Sequence, residues 1–314
     1  MDRKPVSVKS YANIAIVKYW GKADAERMIP STSSISLTLE NMYTETKLSF
    51  LPEDATGDVM YIDDELQGEK ETIKASKVLD LFRTNPNQHV KIETWNNMPT
   101  AAGLSSSSSG LSALVKAANE LFQVGKTQSE LAQIAKFASG SSSRSFFGPL
   151  AAWDKDSGEV YPVETDLKLA MIMLVLTDQK KPVSSRDGMK LCTETSTSFP
   201  EWIKQSEQDY KDMLDYLKAN DFQAVGELTE ANALRMHQTT STANPPFSYL
   251  TDASYQAMDK VKALRASGER CYFTMDAGPN VKVLCLEEDL DRLADHFRKD
   301  YQVIVSRTKE LPDA

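Results

Sequence analysis

Hydrophobic and polar positions alternate along the first part of the chain. In residues 7–20 the apolar side chains Val8, Ile14 and Ile16 are separated by even numbers of positions, and residues 34–50 alternate again. Because successive side chains of a strand point to opposite faces, this period of two predicts a strand-rich N-terminal segment.

The period changes to that of an amphipathic helix after a run of five serines. The apolar stripe of this helix is formed by Leu111, Leu114, Val115, Ala118 and Phe122. A second helix is predicted directly after it, because Thr127 and Glu130 have capping-box spacing and precede another apolar face. The serine run therefore leads into a helix N terminus.

The second half of the chain begins with a short, continuously apolar run. Residues 169–176, LAMIMLVL, have the pattern of a strand covered on both faces. The elements predicted after it are helices near 201–218, 222–236 and 248–266, a strand–turn–strand unit over 271–286, a helix near 288–298 and a strand near 302–306. We place the start of a second domain near residue 169.

Length and composition limit the classes of function. The chain has 314 residues, of which 41% are apolar and only 13 are glycine and 13 proline, so it can bury the cores of two domains. Its formal charge of −9 argues against general affinity for nucleic acid, whose phosphates require a surplus of Lys and Arg. We expect no nucleic-acid partner, although a local basic pocket can still bind a small anion.

Cysteine spacing and the N-terminal segment indicate the compartment. Cys192, Cys271 and Cys285 are far apart and have no metal-site spacing, which favours reduced thiols. The N-terminal segment lacks the apolar stretch of a signal peptide, and the longest apolar run is far short of the ~20 residues that span a bilayer. We expect a cytoplasmic protein with no membrane partner.

The serine run belongs to PTAAGLSSSSSG, residues 99–110, which has several interpretations. A flexible linker is expected between independent blocks, whereas this segment continues directly into an apolar helical stripe. Backbone N–H groups at a helix start, the positive end of its dipole and small hydroxyl side chains would together hold a polyphosphate. Physical reasoning leaves a phosphate loop open beside a small-residue helix cap or linker.

This segment is similar to the Pro-x-x-x-Gly-Leu-x-Ser-Ser phosphate loop of the GHMP kinase superfamily, with Ser108 where alanine is usual. Six blocks together resemble the diphosphomevalonate decarboxylase family. They are YANIAIVKYWGK (11–22), PSTSSISLTL (30–39), NNMPTAAGLSSSSSG (96–110), FASGSSSRSFFG (137–148), SSRDGM (184–189) and MDAGPN (275–280). Their order and their spread along the chain make the resemblance highly specific.

The resemblance implies a fold and a reaction. The fold is α+β, the GHMP kinase fold, with the active site in the cleft between two domains. These are an ATP-binding domain resembling ribosomal protein S5 domain 2 (1–168) and a ferredoxin-like C-terminal domain (169–314), in a homodimer. The reaction is the decarboxylation of (R)-5-diphosphomevalonate to isopentenyl diphosphate, with ATP as co-substrate, Mg²⁺, and phosphorylation of the C3 hydroxyl. Phosphate leaves more readily than hydroxide, which explains the need for ATP.

The resemblance also assigns residues that bind the substrate. Its diphosphate is contacted by Tyr19, Lys22 and Arg186, with the hydroxyls of Ser139 and Ser141. Arg144 is the candidate for the substrate carboxylate, since a planar guanidinium matches a carboxylate with two hydrogen bonds where lysine is a point charge. The alternatives are solvated lysines at a strand end and a surface arginine in a salt bridge.

Asp276, in the turn MDAGPN, is the candidate base or orienting group for the C3 hydroxyl, and Lys18 tunes its charge. On sequence physics alone, an aspartate in a turn usually caps its own backbone instead. Residues 179–189 are predicted to form a mobile lid in which Ser185 and Lys181 close over the phosphates, with a plain basic loop as the alternative for Lys181.

The ATP-binding set consists of Asn96, Asn97, Gly103, Leu104, Ser105, Ser106, Ser107, Ser108 and Lys181, with Ser106 or Ser107 as the candidate Mg²⁺ ligand. Mg²⁺ keeps several waters, so a dense carboxylate cluster is not required. Three other functions stay open: a GHMP kinase that stops after phosphorylation, an inactive sensor of a phosphorylated metabolite, and an RNA-binding module, which the acidic charge disfavours.

Overall fold

The computed structural model describes residues 4–98, 106–177, 179 and 181–311, without the side chain of Ser106. The strands are β1 (Val6–Val17), β2 (Lys22–Asp24), β3 (Ile29–Pro30), β4 (Ser34–Phe50), β5 (Val59–Ile62), β6 (Glu65–Leu66), β7 (Val90–Asn96), β8 (Leu150–Trp153), β9 (Val160–Pro162), β10 (Leu169–Val175), β11 (Cys271–Met275), β12 (Val281–Leu286) and β13 (Gln302–Arg307). The helices are α1 (Glu69–Leu79), α2 (Ser106–Leu121), α3 (Gln128–Ala138), α4 (Ser185–Thr195), α5 (Phe199–Lys218), α6 (Phe222–Ser241), α7 (Asp252–Ala266) and α8 (Leu290–Arg298), with 3₁₀ helices over Gly140–Phe146 and Glu287–Asp289.

The first sheet has the strand order β6-β5-β7-β4-β8-β9, and β1 also pairs with β4. All of these pairings are antiparallel except that of β5 with β7. The long strand β4 pairs along its length with β1, β7 and β8, so it is the spine of the sheet. The apolar stripe of α2 packs against this sheet, where Leu114 and Val115 join a core with Leu48 and Ile92.

The start of α3 carries the predicted capping box. Thr127 Oγ1 accepts a hydrogen bond from the Glu130 backbone N–H at 3.3 Å, and Glu130 Oε2 accepts one from the Thr127 N–H at 2.8 Å. Two N–H groups of the first turn, which have no partner inside the helix, are therefore satisfied locally. The two helices predicted after the serine run are confirmed.

The second sheet has the antiparallel order β11-β12-β10-β13. In β10, Met171 and Met173 lie in one apolar core with residues of α5 and the first sheet, whereas Ile172 and Leu174 lie in another with α7 and α8. This strand is covered on both faces, as its continuous apolar run predicts. The helices and the strand–turn–strand unit predicted for this half are confirmed, and most of their ends lie within a few residues of the predicted positions.

Residues that follow β1 join the first sheet to helices α5 and α6. The backbone N–H of Lys18 donates to Asn232 Oδ1 on α6 at 2.8 Å. The indole of Trp20 donates to Thr239 Oγ1 at 2.9 Å, and its carbonyl accepts from the indole of Trp202 at 2.8 Å. These buried contacts fix residues 18–20 against the helices of the second half.

The predicted lid over residues 179–189 is not a loop throughout. Its last residues form the first turn of α4, where Ser184 is the N-cap and its Oγ accepts from the Asp187 N–H at 3.1 Å. This capping signal was overlooked in the sequence. The three cysteines are free and buried. In the described ranges, every helix is too short or too polar to cross a bilayer.

Candidate active site

A cleft of about 530 Å³ lies where the end of β1, the 3₁₀ helix at 140–146, the start of α4 and the turn after β11 meet. The predicted site residues that line it are Lys18, Tyr19, Lys22, Ser107, Ser139, Ser141, Arg144, Lys181, Ser185, Arg186 and Asp276. Residues from five of the six sequence blocks, which are far apart along the chain, thus line one cleft.

Asp276 lies directly after β11 and forms an ion pair with Lys18. Lys18 Nζ is 2.8 Å from Asp276 Oδ1 and also donates to the Ala15 carbonyl at 2.6 Å. Lys18 is 2% exposed, whereas the Asp276 side chain is 25% exposed and faces the cleft. Burial lowers the pKa of Lys18, and the carboxylate of Asp276 partly offsets this effect.

Sequence reasoning missed the second cation on Asp276. Lys282 Nζ, on β12, lies 2.9 Å from Asp276 Oδ2, and its side chain is only 1% exposed. Burial opposes ionisation of the Asp276 carboxyl, but Lys18 and Lys282 outweigh it and hold the pKa of Asp276 well below its usual range. The available signal was a single lysine in the otherwise apolar strand VKVLCL.

Arg144 is held inside the protein by neutral groups. Its Nε donates to Ser36 Oγ at 2.9 Å, and one terminal nitrogen donates to Ser34 Oγ at 2.6 Å. The residue is 2% exposed, and burial lowers the pKa of its guanidinium to about 10, which still leaves it charged at neutral pH. No acidic side chain in the described ranges forms an ion pair with it, so the cleft contains a buried cation without a partner anion.

Ser34 and Ser36 were also missed as individual residues. They belong to the block PSTSSISLTL, in which serines alternate with aliphatic residues. In a strand this alternation places the serines on one face, and both are 0% exposed. Inward-facing hydroxyls in a buried strand need hydrogen-bonding partners, and this was the signal that could have linked them to Arg144.

Tyr19 lies over the 3₁₀ helix that carries Arg144. Its ring packs against Trp153 with centroids 5.1 Å apart, and a Cβ on Gly140 would come within 2.9 Å of the ring. Burial raises the pKa of Tyr19 to about 12, so the phenol keeps its proton. Its buried hydroxyl has no hydrogen-bond partner among the residues described. The hydroxyl is therefore available to a ligand in the cleft.

Lys22 and Arg186 line the cleft near Tyr19. Burial and the nearby charge of Arg186 lower the pKa of Lys22. Ser139 and Ser141, whose hydroxyl oxygens are 3.2 Å apart, line it at the end of α3 and the start of the 3₁₀ helix. Two cations and two hydroxyl groups thus share one part of the cleft.

Asn13 is a further cleft residue that the sequence analysis did not single out. Its amide nitrogen donates to the Ser141 carbonyl and to Ser145 Oγ, each at 2.8 Å. Its buried Oδ1 has no partner among the described residues. Asn13 thus supports the 3₁₀ helix and lines the cleft.

Lys181 bridges α4 and the turn that follows β11. Its Nζ donates to Ser185 Oγ and to the Ala277 carbonyl, each at 2.6 Å. Burial and the charge of Lys282 lower its pKa, and Asp276 opposes them. The two residues predicted to close over the phosphates are therefore in contact with each other.

The predicted ATP-binding residues are only partly described. Gly103, Leu104 and Ser105 lie outside the described residues, as does the side chain of Ser106. Ser107 lines the cleft, whereas Ser108 is buried and its Oγ accepts from the Asn13 N–H at 3.5 Å.

Asn96 is the last residue of β7 and accepts a hydrogen bond from the Thr44 hydroxyl, and Asn97 bonds to the backbone of Tyr43 and Asn41. Neither asparagine lines the cleft. Their contact with the nucleotide remains a prediction.

Charge and donor types indicate what the cleft can bind. Its described charged lining residues are the cations Lys18, Lys22, Arg144, Lys181 and Arg186 and the single carboxylate Asp276. No cluster of three or more His, Cys, Asp or Glu in the described ranges could hold a metal by itself. This donor set suits a multiply charged anion.

Family models match both halves of the chain. Residues 10–161 match the diphosphomevalonate decarboxylase-like N-terminal domain. Residues 171–312 match the mevalonate 5-diphosphate decarboxylase C-terminal domain.

Individual proteins are similar over nearly the whole chain. The structure of mevalonate pyrophosphate decarboxylase from Streptococcus pyogenes has 66% identity and a TM-score of 0.97, covering 100% of this chain and 99% of that one. The structure of MDDEF in complex with MVAPP, AMPPCP and magnesium has 40% identity and a TM-score of 0.90, covering 98% of each chain. The diphosphomevalonate decarboxylase of Candida albicans is 31% identical over 319 residues, or 94% of this chain and 88% of its own.

Proposed function

The chain belongs to the diphosphomevalonate decarboxylase family, and we propose that the cleft described above is the site of its reaction. The enzyme decarboxylates (R)-5-diphosphomevalonate in the mevalonate pathway, with ATP as co-substrate and Mg²⁺ as cofactor. The products are isopentenyl diphosphate, ADP, phosphate and CO₂. The chain has the GHMP kinase fold, and residues from both halves of the chain line the cleft.

The observation that carries this proposal is the pairing of Arg144 with Asp276 in one cleft. Arg144 is a buried guanidinium held only by hydroxyl groups in the described structure, and Asp276 is a carboxylate held ionised by two lysines. The substrate carries a carboxylate and a tertiary hydroxyl on neighbouring carbons. Arg144 binds the first of these groups, and Asp276 binds the second.

Asp276 acts mainly by orienting the C3 hydroxyl. A carboxylate whose pKa lies well below its usual range is a weak base but a good hydrogen-bond acceptor. Phosphoryl transfer passes through a loose transition state in which positioning and electrostatics contribute most of the catalysis. The hydroxyl proton is therefore released late, after the oxygen has begun to bond to phosphorus, and Asp276 is its first acceptor.

Arg144 governs the second half of the reaction. Its guanidinium holds the carboxylate while the C3–O bond to phosphate breaks and a positive charge develops at C3. The C–C bond electrons of the departing CO₂ then form the double bond of isopentenyl diphosphate. Because Ser34 and Ser36 each accept a hydrogen bond from a different nitrogen of the guanidinium, its orientation is set before the substrate arrives.

The substrate diphosphate binds near Tyr19, Lys22 and Arg186, with Ser139 and Ser141 as further donors. Their cationic and hydroxyl groups can offset the repulsion between two polyphosphates. At an effective dielectric constant near 20, a pair of unit charges 4 Å apart contributes about 4 kcal/mol. A site for two such anions therefore needs several cations, as this cleft has.

ATP fits the first turn of α2, where Ser107 faces the cleft at a helix N terminus. The Ser107 hydroxyl oxygen can be a ligand of a Mg²⁺ ion that keeps several water ligands. Mg²⁺ would neutralise charge on the phosphates. Lys181 and Ser185 also line the cleft, where they can contact phosphate oxygens. The sparse carboxylates of the cleft agree with a metal held largely by phosphates and water.

Domain division, assembly and location are further proposals. We place the ATP-binding domain at residues 1–168, which include the first sheet, and the second domain at residues 169–314, which include the second sheet. The family resemblance suggests a homodimer in the cytoplasm. Native mass spectrometry of the purified protein tests the dimer.

The proposed function is tested by the stoichiometry of its products. Purified protein with Mg-ATP and (R)-5-diphosphomevalonate is expected to release CO₂, phosphate and ADP in equal amounts. ADP without CO₂ or free phosphate would identify a kinase that stops after phosphorylation. Binding without turnover would identify a sensor.

Replacing Tyr19 by phenylalanine is expected to raise the KM for the substrate about tenfold with little change in Tm. One hydrogen bond to a charged group contributes about 1.5–3 kcal/mol. The ring contact with Trp153 stays, and the hydroxyl has no described partner to lose. Steady-state kinetics and thermal unfolding measure the two effects. Tyr255→Phe, at an exposed tyrosine on α7, is the control, and an unchanged KM in Tyr19→Phe would contradict the assignment.

A further inference from the structure

We propose that Lys282 is a positioning residue for the reaction, which fixes the Asp276 carboxylate from the side opposite Lys18. This inference rests on the proposed function of the cleft. Lys282 does not line the cleft, so its effect on the substrate passes through Asp276. The argument depends on where Lys282 lies in the second sheet and on the two oxygens of one carboxylate.

The two carboxylate oxygens are divided between two lysines. Lys18 Nζ is 2.8 Å from Oδ1, and Lys282 Nζ is 2.9 Å from Oδ2. Lys18 follows a strand of the first sheet, whereas Lys282 belongs to the same hairpin as Asp276. With both oxygens held, the carboxylate cannot rotate about its terminal bond without breaking a charged hydrogen bond. Its remaining lone pairs are thereby aimed at a fixed place in the cleft.

The position of Lys282 is otherwise that of a core residue. It pairs with Thr274 on β11 and Met173 on β10, in the middle of the sheet. Leu284, two residues further along the same strand, lies in the apolar core. Burying a lysine costs free energy that an apolar side chain would not, and such ion pairs contribute little net stability. Its contribution is therefore expected in catalysis rather than in folding.

Other charged or titratable groups also face Asp276, from each element around it. Lys18 follows β1, Lys181 precedes α4, Arg144 lies on the 3₁₀ helix and His237 lies on α6. Burial and the charge of Lys18 lower the pKa of His237 to about 4, so its ring is neutral at neutral pH. Lys282 differs from Lys181 and Arg144 because it is the only one of these three with a hydrogen bond to the carboxylate in the described structure.

The test compares Lys282→Met and Lys282→Arg with the wild-type enzyme under saturating Mg-ATP. Methionine removes the charge and keeps the length and apolar packing of the side chain. We expect kcat of Lys282→Met to fall about 30- to 100-fold while the KM for (R)-5-diphosphomevalonate changes less than threefold. On a logarithmic scale, Lys282→Arg should recover at least a third of the fall in kcat that Lys282→Met shows. Thermal unfolding and circular dichroism establish that both variants fold.

A pH profile adds a readout that a purely structural role would not move. The charge of Lys282 contributes to the lowered pKa of Lys18 and of Lys181. Removing that charge should raise both values, so the basic limb of kcat/KM in Lys282→Met should move to higher pH. Arginine, which keeps the charge, should leave the limb in place.

Three results would overturn the inference. The first is a kcat of Lys282→Met within twofold of wild type. The second is a folded Lys282→Met in which KM rises as much as kcat falls. The third is an equal loss of kcat in both variants with an unmoved basic limb. If instead the wild-type protein releases no CO₂, the proposed function itself has failed. If methionine prevents folding, the arginine variant still decides: its kcat should fall clearly less than the roughly 30-fold expected for methionine, with an unmoved basic limb, and a larger fall or a moved limb would overturn the inference.

Discussion

Replacing Asp276 by asparagine is expected to lower kcat about 1,000-fold. An amide accepts a weaker hydrogen bond from the C3 hydroxyl than a carboxylate does, and it cannot take the proton. Positioned acid–base groups typically contribute about 100- to 10,000-fold. The amide would also direct N–H donors at Lys18 or Lys282, which sit on either side of the carboxylate. The KM for ATP should change little, because the proposed contact of Asp276 is with the other substrate.

The same substitution should destabilise the protein at neutral pH by about 3 kcal/mol, since two buried lysines lose their anion. The pKa of Asp276 is lowered from 3.8, so its stabilising effect is present above that pH and is lost as pH falls through the folded-state value. The difference between variant and wild type in unfolding free energy should therefore shrink in acid.

Asp259→Asn, at an exposed carboxylate on α7, is the matched control and should change neither rate nor stability. Quenched-flow and steady-state kinetics measure the rate, and denaturant unfolding at pH values from 7 to well below 3.8 measures the stability. A variant that keeps more than a tenth of wild-type kcat would remove Asp276 from the reacting hydroxyl.

Local signals in the sequence predicted much of the fold. The stripe beginning at Leu111, the capping box at Thr127 and the apolar run at 169–176 each have a period or spacing that depends only on neighbouring residues. Helix α1 and strands β5, β6, β8 and β9 were not singled out. Strands β5, β6, β8 and β9 have four residues or fewer, too short to show a clear period of two.

The site residues also divide into those that the sequence predicted and those that only the structure revealed. Motif residues such as Lys18, Arg144 and Asp276 were found by resemblance, and the structure brings them into one cleft. Ser34, Ser36 and Lys282 were missed because each acts on another side chain across a tertiary contact, and no local spacing encodes such a contact. A buried polar residue inside a strand indicates only that it needs a partner, which the fold supplies.

Replacing Arg144 by lysine is expected to lower kcat/KM about 100-fold, although the charge is kept. Lysine cannot donate at the same time to Ser34 Oγ, to Ser36 Oγ and to a carboxylate in two parallel bonds. Each hydrogen bond to a charged group contributes about 1.5–3 kcal/mol, and a shift of about 2.7 kcal/mol corresponds to 100-fold. Arg298→Lys, at an exposed ion pair on α8, is the control and should behave as wild type.

Isopentenyl diphosphate separates loss of the carboxylate contact from general damage to the cleft. It keeps the diphosphate of the substrate but has no carboxylate, so its inhibition constant should be the same for Arg144→Lys and wild type. Tyr19→Phe should behave in the opposite way and weaken inhibition by the product, since we propose that the Tyr19 hydroxyl contacts the diphosphate. If Arg144→Lys weakened product and substrate binding alike, Arg144 would be supporting the diphosphate site, and the carboxylate would be bound elsewhere. If its kcat/KM stayed within twofold of wild type, the positive charge alone would suffice and the two-bond geometry would be unnecessary.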